Sequence, residues 1–299
     1  MQDYKKKPSR LRRGLAGGVL ALLCWSAGAA EEVSLEVQPG LTATAHYQPG
    51  EADRPAVLLL HGFLQTREFH TVARLAESLS IAGVTTLAPT LSLNVPHRRA
   101  VLSCEAVHTH TMDQALDEIG AWIDWLQGVG HKDIVLLGHS YGGVQLAAYL
   151  GTRPAGPVSR LIAVSLVDVE HGVGASVHVD LRRVRREAED PSQALRPYTL
   201  HYCANDSYVT TARAYYSYVR WSRSAILAAL RELPVPAVAV KGSADHRMGS
   251  SWAGLVAEAG AAVVMVDGAN HFFDARHEVP LHDIVVELLE ARDAPHGRH

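Results

Sequence analysis

Short apolar runs alternate with helical patterns along most of this chain. Each run is rich in strand-forming residues and is bounded by Gly, Pro, Asn or Asp, as is typical of buried parallel strands. The runs cover residues 56–60, 85–88, 134–137, 161–167, 235–240 and 262–266. The helical patterns cover residues 69–82, 112–127, 141–150, 212–230, 252–259 and 281–291. This alternation predicts an α/β fold built on a doubly wound, mostly parallel sheet.

Two segments depart from the alternation. An opening hairpin, with strands 33–37 and 41–47 around Pro39-Gly40, would add antiparallel strands at one edge. After the sixth predicted strand, about 65 residues separate Val167 from Val235, which is far longer than a usual crossover. We interpret residues 169–233 as an insertion above the strand ends, where a lid would lie. The rest fits one domain, residues 31–299.

The first thirty residues have the pattern of a secretory signal peptide. Basic side chains come first, and residues 14–30 then carry no charge and end in small residues around Ala27-x-Ala29. The basic residues are Lys5, Lys6, Lys7, Arg10, Arg12 and Arg13. An uncleaved anchor is the alternative, but 17 residues are short for a span of about 20. We predict cleavage of residues 1–30 and export of a bacterial protein to the periplasm or the medium, by ordinary secretion rather than the twin-arginine route.

Removal of the signal peptide changes the charge and the cysteine count. The mature chain would keep 22 basic and 30 acidic residues, which makes it a poor candidate for nucleic acid or an anionic membrane surface. We therefore expect a small-molecule ester or amide substrate, no nucleic-acid partner and no stable membrane insertion. Cys104 and Cys203 remain, and in an oxidising compartment they would form a disulfide or stay as separate buried thiols.

The segment Gly-His-Ser-Tyr-Gly-Gly at 138–143 lies between a predicted strand and a predicted helix. In a nucleophile elbow the serine occupies a strained strand-to-helix turn, and flanking glycines let the backbone crowd there without Cβ clashes. The Gly-x-Ser-x-Gly spacing alone is a weak signal, whereas its place after a buried strand is specific. We predict that Ser140 is a nucleophile.

A serine nucleophile needs a base and an acid that orients the base. Of the 17 histidines, His271 follows the last predicted strand through a short turn, and we predict it to be the base. Asp245 follows the strand 235–240 at the sheet edge where catalytic groups gather in open α/β sheets, and it is the predicted acid. Asp168, which ends the preceding strand, is the alternative acid, and otherwise caps or anchors the insertion.

The developing negative charge on a substrate oxygen needs backbone N–H donors. The amide of Tyr141, directly after the serine, is one predicted donor. The other is the amide of Phe63, since Leu60-His61-Gly62-Phe63 ends a strand and Gly62 permits a tight turn. For His61 we favour a structural role that holds this turn by a hydrogen bond.

These motifs together resemble the α/β-hydrolase superfamily. They are His-Gly-Phe at 61–63, the serine segment at 138–143, Gly-Ser-Ala-Asp at 242–245 and Gly-Ala-Asn-His-Phe-Phe at 268–273. Their order and spacing look most like the compact hydrolases grouped with serine aminopeptidases, monoacylglycerol lipases and related esterases, over residues 33–292. The resemblance implies a Ser-Asp-His triad that uses neither a metal nor a cofactor, and it leaves the substrate open.

One segment departs from those enzymes. The usual Asp-x-x-Gly-x-Gly-x-Ser run after the fourth strand is absent, and residues 91–96 and a loop with Cys104 stand in its place. Pocket details therefore do not carry over from the resemblance.

Three further groups of residues, rich in histidine, arginine and tyrosine, have patterns that can indicate a functional site. His108 and His110 alternate as metal ligands can, but no other ligand completes the set, so we favour loop contacts, with Thr111 as an N-cap. The arginines at 182–186 are interpreted as a solvated face. Six of ten tyrosines fall between residues 198 and 218. Of these we predict Tyr202 and Tyr208 as substrate-binding residues, whereas Tyr215 and Tyr218 suit a helix face that packs on the sheet.

The sequence thus predicts a serine hydrolase that cleaves a carboxylic ester through an acyl-serine intermediate. Amide or peptide cleavage is the nearest alternative. The alternative from another class is a non-catalytic scaffold that binds a lipid or a protein.

Overall fold

A computed structural model describes residues 30–171 and 179–291 of the chain. All but the last residue of the predicted signal peptide lies outside these ranges, as do residues 172–178 of the predicted insertion. The strands are β1 (Glu31–Gln38), β2 (Leu41–Gln48), β3 (Ala56–Leu60), β4 (Thr86–Thr90), β5 (Ile134–His139), β6 (Val158–Val164), β7 (Leu195–Leu200), β8 (Cys203–Thr211), β9 (Ala237–Gly242) and β10 (Ala262–Val266). The helices are α1 (His70–Ile81), α2 (Met112–Gly128), α3 (Tyr141–Thr152), α4 (Leu181–Ala188), α5 (Ala212–Val219), α6 (Arg223–Arg231), α7 (Trp252–Glu258) and α8 (Glu278–Glu290).

Eight strands form one sheet in the order β1-β2-β4-β3-β5-β6-β9-β10. Strand β2 pairs antiparallel with β1 and β4, and the strands from β4 to β10 in this order run parallel. The prediction of a doubly wound, mostly parallel sheet with an antiparallel hairpin at one edge is confirmed. Parallel strands of this kind leave their carboxyl ends, and the loops that follow them, at one edge of the sheet.

The central strands are buried on both faces because helices cover both sides of the sheet. In β3, Leu58 and Leu60 belong to the larger core, which α2 and α3 cover, while Val57 and Leu59 belong to a second core with residues of α1 and α8. Every residue of β3 is fully buried. The uninterrupted apolar runs that predicted these strands are thus explained by a sheet with two apolar faces.

Helix α2 begins where the sequence predicts. The Thr111 side chain accepts a hydrogen bond from the Gln114 backbone N–H, and the Gln114 side chain accepts one from the Thr111 N–H. Such a capping box satisfies two amides that a helix start leaves without partners. Thr111 is therefore an N-cap, as predicted.

The insertion after β6 is more regular than the sequence indicates. Helix α4 and the hairpin β7–β8 occupy residues 181–211, where the sequence analysis predicts neither a helix nor a strand. The single helix predicted over 212–230 is two helices, α5 and α6. The second begins at Ser222, whose side chain accepts a hydrogen bond from the Ala225 N–H. Strand β6 also begins and ends three residues before the predicted 161–167.

A disulfide joins Cys104 to Cys203 and so fastens the hairpin to the loop between β4 and α2. The same loop and hairpin are joined by the hydrogen bond from the His108 N–H to the Val209 carbonyl, 2.8 Å long. Across residues 30–171 and 179–291, no helix is both long and apolar enough to cross a membrane.

Candidate active site

Ser140 occupies a strained turn between β5 and α3, with φ of 57° and ψ of −124°. A side chain at Gly142 would place its Cβ 2.6 Å from the His61 carbonyl oxygen, and one at Gly138 would lie 2.5 Å from backbone atoms of the next helix turn. Both separations are too short for a Cβ atom. The two glycines of the motif are thus needed because a side chain would clash there. Ser140 has a strained backbone conformation, and such conformations are concentrated at functional sites.

Asp245, His271 and Ser140 form a continuous hydrogen-bonded chain. The distance from Ser140 Oγ to His271 Nε2 is 3.0 Å, and that from His271 Nδ1 to Asp245 Oδ2 is 2.8 Å. Asp245 and His271 are both buried. Burial alone would raise the pKa of Asp245, but the hydrogen bond and attraction from His271, with a further hydrogen bond from the Arg247 N–H, lower it. Asp245 is therefore ionised at neutral pH, as an orienting acid must be.

Asp168, the alternative acid, has another partner. Its two carboxylate oxygens accept hydrogen bonds of 2.9 and 2.8 Å from the Arg223 guanidinium. The carboxylate lies beside the same cavity as Ser140, but it is Asp245 that contacts the His271 ring. The geometry therefore favours the anchoring role for Asp168.

The backbone of His271 is held by two side chains that sequence reasoning missed. Its carbonyl oxygen accepts hydrogen bonds from His139 Nε2 at 3.1 Å and from Ser165 Oγ at 2.8 Å. Burial, assisted by the neighbouring His271, lowers the pKa of His139 to about 3, so its ring stays neutral. His139 stands inside the serine motif and could have been noticed there. Ser165 follows β6 in a loop, and no local pattern marks it.

The amides of Phe63 and Tyr141 face no competing acceptor. Neither N–H donates to any acceptor within residues 30–171 and 179–291, and Tyr141 is the first residue of α3, where helix amides have no partner inside the helix. The loop of Phe63 approaches Ser140 closely, since a Cβ on Gly62 would lie 3.4 Å from the Ser140 Cβ. Two unpaired donors beside the predicted nucleophile are the arrangement that an oxyanion site requires.

We call residues 61–65 the oxyanion turn. His61 Nδ1 donates to the Gly62 carbonyl at 2.8 Å, while Nε2 accepts from the Leu91 N–H at 3.1 Å. Burial, reinforced by the nearby Arg98 charge, lowers the pKa of His61 to about 3. The neutral ring holds the turn, which is the structural role predicted for it.

Arg98, in the loop after β4, also forms hydrogen bonds to the oxyanion turn. This buried guanidinium donates to the carbonyls of Gln65 at 2.6 Å, Leu64 at 3.4 Å and Leu91 at 2.6 Å. It lies in the segment that departs from the related enzymes, and no sequence pattern distinguishes it from its neighbours. Arg98 therefore anchors the turn. This role could not be predicted from the sequence.

A cavity of about 380 Å³ opens onto Ser140. Its walls are mostly aromatic and polar, and Arg247 lies over the Phe272 ring, 4.8 Å from its centroid. The residues that line it include Phe63, Gln65, Tyr141, Val167, Asp168, Val169, His171, His201, Tyr202, His246, Arg247, His271 and Phe272.

Tyr202 lies on this cavity, and Tyr208 does not. Tyr208 is fully buried, and its ring stacks on that of His108 with centroids 4.2 Å apart. It alternates along β8 with Thr210, which is also fully buried. The prediction of Tyr208 as a substrate-binding residue was wrong, because strand β8 and its alternation were not recognised.

The other residues singled out in the sequence are structural. His108 Nε2 donates to the Ser103 carbonyl at 3.0 Å, and no group of three His, Cys, Asp or Glu within residues 30–171 and 179–291 is placed to hold a metal ion. The arginines at 182–186 lie on α4, where Arg183 and Arg185 pair with Glu187 and Glu189 on the surface.

The sequence profile of the alpha/beta hydrolase family matches residues 57–285, and the chain belongs to that family. A search of curated proteins gives no significant match. Among solved structures, the esterase Est1E from Butyrivibrio proteoclasticus is 18% identical with a TM-score of 0.62, over 88% of this chain and 99% of that one. The monoacylglycerol lipase of Paleococcus ferrophilus is 17% identical with a TM-score of 0.62, over 84% and 99%. A thioesterase domain from the curacin pathway is 18% identical with a TM-score of 0.57, over 87% and 100%. The family and the fold support a hydrolase.

Proposed function

We propose that this protein is a serine hydrolase that cleaves a carboxylic ester through an acyl-serine intermediate. The observation that carries the proposal is the hydrogen-bonded chain from Asp245 through His271 to Ser140, beside two unpaired backbone amides. A nucleophile, a base, an acid and an oxyanion site are all needed for this chemistry. Ser140, His271, Phe63 and Tyr141 line one cavity, and Asp245 lies behind it against the His271 ring.

In the first half of the reaction, His271 Nε2 takes the proton of Ser140 as Oγ attacks the ester carbonyl carbon. The carbonyl oxygen becomes an oxyanion and accepts hydrogen bonds from the Phe63 and Tyr141 amides, each worth on the order of 10²–10³ in rate. His271 then gives its proton to the alcohol oxygen as the C–O bond breaks. Asp245 stabilises the charged imidazole between the two transfers.

In the second half, a water molecule attacks the acyl-serine. His271 takes a proton from the water, the tetrahedral oxyanion again meets the two amides, and Ser140 leaves with the proton that His271 returns. The acid product is released, and the enzyme regains its starting state.

The cavity favours a compact acyl group. Val167 and Val169 are the only aliphatic side chains among the described residues that line it, and the remaining walls are aromatic, imidazole, amide or charged. A long alkyl chain needs a long, continuous apolar channel to bury its surface, whereas this cavity holds about 380 Å³ and interleaves its aromatic rings with imidazole and charged groups. We therefore infer that short or aromatic acyl groups are preferred over long fatty acyl groups.

Labelling by a fluorophosphonate probe tests the nucleophile. We expect the purified wild type to be labelled and Ser140→Ala to remain unlabelled; labelling that persists in Ser140→Ala would overturn the assignment. Nitrophenyl butyrate, nitrophenyl decanoate and an aminoacyl nitroanilide then test the substrate class. The ester proposal fails if the anilide is cleaved faster than both esters. Resistance to every probe, with a ligand-dependent rise in Tm, would indicate the non-catalytic scaffold.

We also propose that residues 1–30 direct export and are removed. The basic residues followed by an uncharged stretch support this, and the Cys104–Cys203 disulfide is typical of oxidising compartments. Expression of the full chain in a bacterium, followed by fractionation and intact mass, should give a periplasmic or secreted product that begins near Ala30 or Glu31. A cytoplasmic product of full mass would contradict the proposal.

A further inference from the structure

The turn between β7 and β8 lies directly on the oxyanion site. The Tyr202 hydroxyl donates to the Phe63 carbonyl at 2.9 Å. The ring of His201 lies 4.7 Å from that of Phe63 and 4.2 Å from that of Tyr141, measured between centroids. Phe63 and Tyr141 supply the two proposed oxyanion donors. Two adjacent residues of the insertion therefore contact both halves of the site.

This turn holds a conformation that the chain would not adopt by itself. His201 has φ of 53°, in the left-handed region that non-glycine residues avoid. Its Nε2 is buried and has no hydrogen-bond partner within residues 30–171 and 179–291, and burial lowers the pKa of the ring to about 3. Such costs persist only where the surrounding structure imposes them, and they cluster at functional sites.

The disulfide and the neighbouring hydrogen bonds impose that conformation. Cys203 follows Tyr202 directly and is bonded to Cys104, which is 99 residues away in the chain. The loop that carries Cys104 also reaches the oxyanion turn, since the Leu102 N–H donates to the Leu64 carbonyl at 3.2 Å. One covalent link thus joins two segments that each donate a hydrogen bond to the same turn.

We propose that the disulfide-held turn of His201 and Tyr202 positions the oxyanion site, with Tyr202 as the positioning residue. The hydroxyl of Tyr202 fixes the carbonyl of Phe63, and thereby the orientation of this residue and of the N–H that receives the oxyanion. The inference rests on the proposed function and deepens it, because it gives the insertion a role in transition-state stabilisation besides lining the cavity. A hydrogen bond that matters only to the oxyanion changes kcat more than KM.

Tyr202→Phe and Tyr215→Phe form a matched pair. Each removes one hydroxyl that donates to a backbone carbonyl, but the Tyr215 hydroxyl bonds Thr199 within the same hairpin, at 3.1 Å, and does not touch the oxyanion turn. With nitrophenyl butyrate we expect Tyr202→Phe to lower kcat by about 10-fold and change KM by less than about 2-fold. Its inhibition constant for a trifluoromethyl ketone, which forms an oxyanion on Ser140, should rise by the same factor. Tyr215→Phe should keep the wild-type values.

The outcomes separate the roles that Tyr202 can have. A changed KM with unchanged kcat and inhibition constant would make Tyr202 a substrate contact only. Equal losses of kcat and of Tm in both variants would make it a packing residue only. Either result overturns the inference while leaving the serine hydrolase assignment intact, whereas a wild type that neither cleaves esters nor reacts with the fluorophosphonate overturns the proposed function itself.

Reduction of the disulfide tests the other half of the inference. The wild type is treated with a phosphine reductant, and titration verifies that two thiols are free. We expect kcat to fall, and the inhibition constant for the trifluoromethyl ketone to rise, each by about the factor seen in Tyr202→Phe. In the Tyr202→Phe background, reduction should add less than about 2-fold, because the two changes act on one contact. Native kcat and inhibition constant in the fully reduced protein would overturn the role of the disulfide. If circular dichroism shows that the reduced protein unfolds, the Tyr202→Phe and Tyr215→Phe pair decides.

Discussion

At the scale of single residues, the proposed chemistry depends on which carboxylate orients His271. Asp245 and Asp168 both follow parallel strands of the main sheet, β9 and β6, and both are buried, but they differ in their partners. Asp245 contacts the imidazole and Asp168 contacts a guanidinium. A carboxylate that bonds Nδ1 fixes the tautomer in which Nε2 can accept the serine proton, so the two residues should respond very differently to loss of charge.

Replacement of each by asparagine tests this difference. We expect Asp245→Asn to lower kcat for an ester by about 10³–10⁴, because the amide favours the wrong tautomer of His271. Asp168→Asn removes the charge opposite Arg223 and should lower kcat by less than about 10-fold, with the main cost in Tm. Steady-state kinetics and thermal unfolding of both variants give the comparison. A larger loss of kcat in Asp168→Asn than in Asp245→Asn would indicate that Asp168 is the acid of the triad.

Single residues also show where sequence reasoning stops. Ser140, Asp245 and His271 could be located because each follows within five residues a strand whose apolar run is visible, and the fold brings such positions to one edge. Arg98 and Ser165 could not, because their contacts join loops that are distant in the chain and carry no periodic pattern. His201 was missed for a related reason: its environment depends on a hairpin that the sequence does not reveal.

At the scale of elements, the close approach of α3 to β3 depends on Gly142. A Cβ there would meet the carbonyl oxygens of His61 and Leu60 at 2.6 and 2.7 Å. Both atoms are backbone, so neither can move without shifting β3 or the oxyanion turn. Gly254, in α7, is sterically open, since a Cβ added to it would meet no atom within 4 Å.

Alanine at the two positions should therefore have opposite effects. We expect Gly142→Ala to lower the free energy of unfolding by about 3 kcal/mol through overpacking, and Gly254→Ala to raise it by about 0.5–1 kcal/mol because alanine is the better helix former. Urea unfolding followed by circular dichroism measures both. Equal effects at the two positions would show that the approach of α3 to β3 is not tight.

Elements also differ in how well the sequence predicts them. The strands of the main sheet were found because burial on both faces leaves an unbroken apolar run. Helix α4 was missed because it is short and charged and buries only Val184 and Ala188. The hairpin β7–β8 was missed because long-range contacts and a disulfide hold it, and the break between α5 and α6 is marked in the sequence only by Ser222.

At the scale of the whole molecule, stability depends on a buried carboxyl group. Glu118, on α2, accepts hydrogen bonds from the Ser92 N–H and from the Ser92 hydroxyl, the latter 2.6 Å long. Burial raises its pKa from 4.5 to about 7, and the hydrogen bonds from Ser92 and the charge of Arg98 only partly oppose this. The native state therefore holds this proton over a pH range in which the unfolded chain has lost it.

The raised pKa of Glu118 makes the free energy of unfolding depend on pH. Between pH 4.5 and 7 the folded state binds more protons, so the free energy of unfolding falls as the pH rises through this window. Glu118→Gln should remove the decline, making the variant more stable relative to the wild type at pH 8 than at pH 5 by about 3 kcal/mol. Urea unfolding at the two pH values measures the change. Glu258→Gln, which alters an exposed carboxylate, is the control, and a pH-independent difference for Glu118→Gln would contradict the prediction.

The order of strands in the sheet means that the candidate site forms only when the edge strands have been added to the central ones. The proposed nucleophile, Ser140, follows β5 at the centre, whereas the proposed acid and base, Asp245 and His271, follow β9 and β10, the last two strands at one edge. The proposed oxyanion donors follow β3 and β5. A chain that has assembled its central strands but not that edge would possess a serine at a strained turn and no means of activating it. In the proposed mechanism, ester cleavage therefore requires that β9 and β10 are in place, and a molecule that lacks this edge has no such activity.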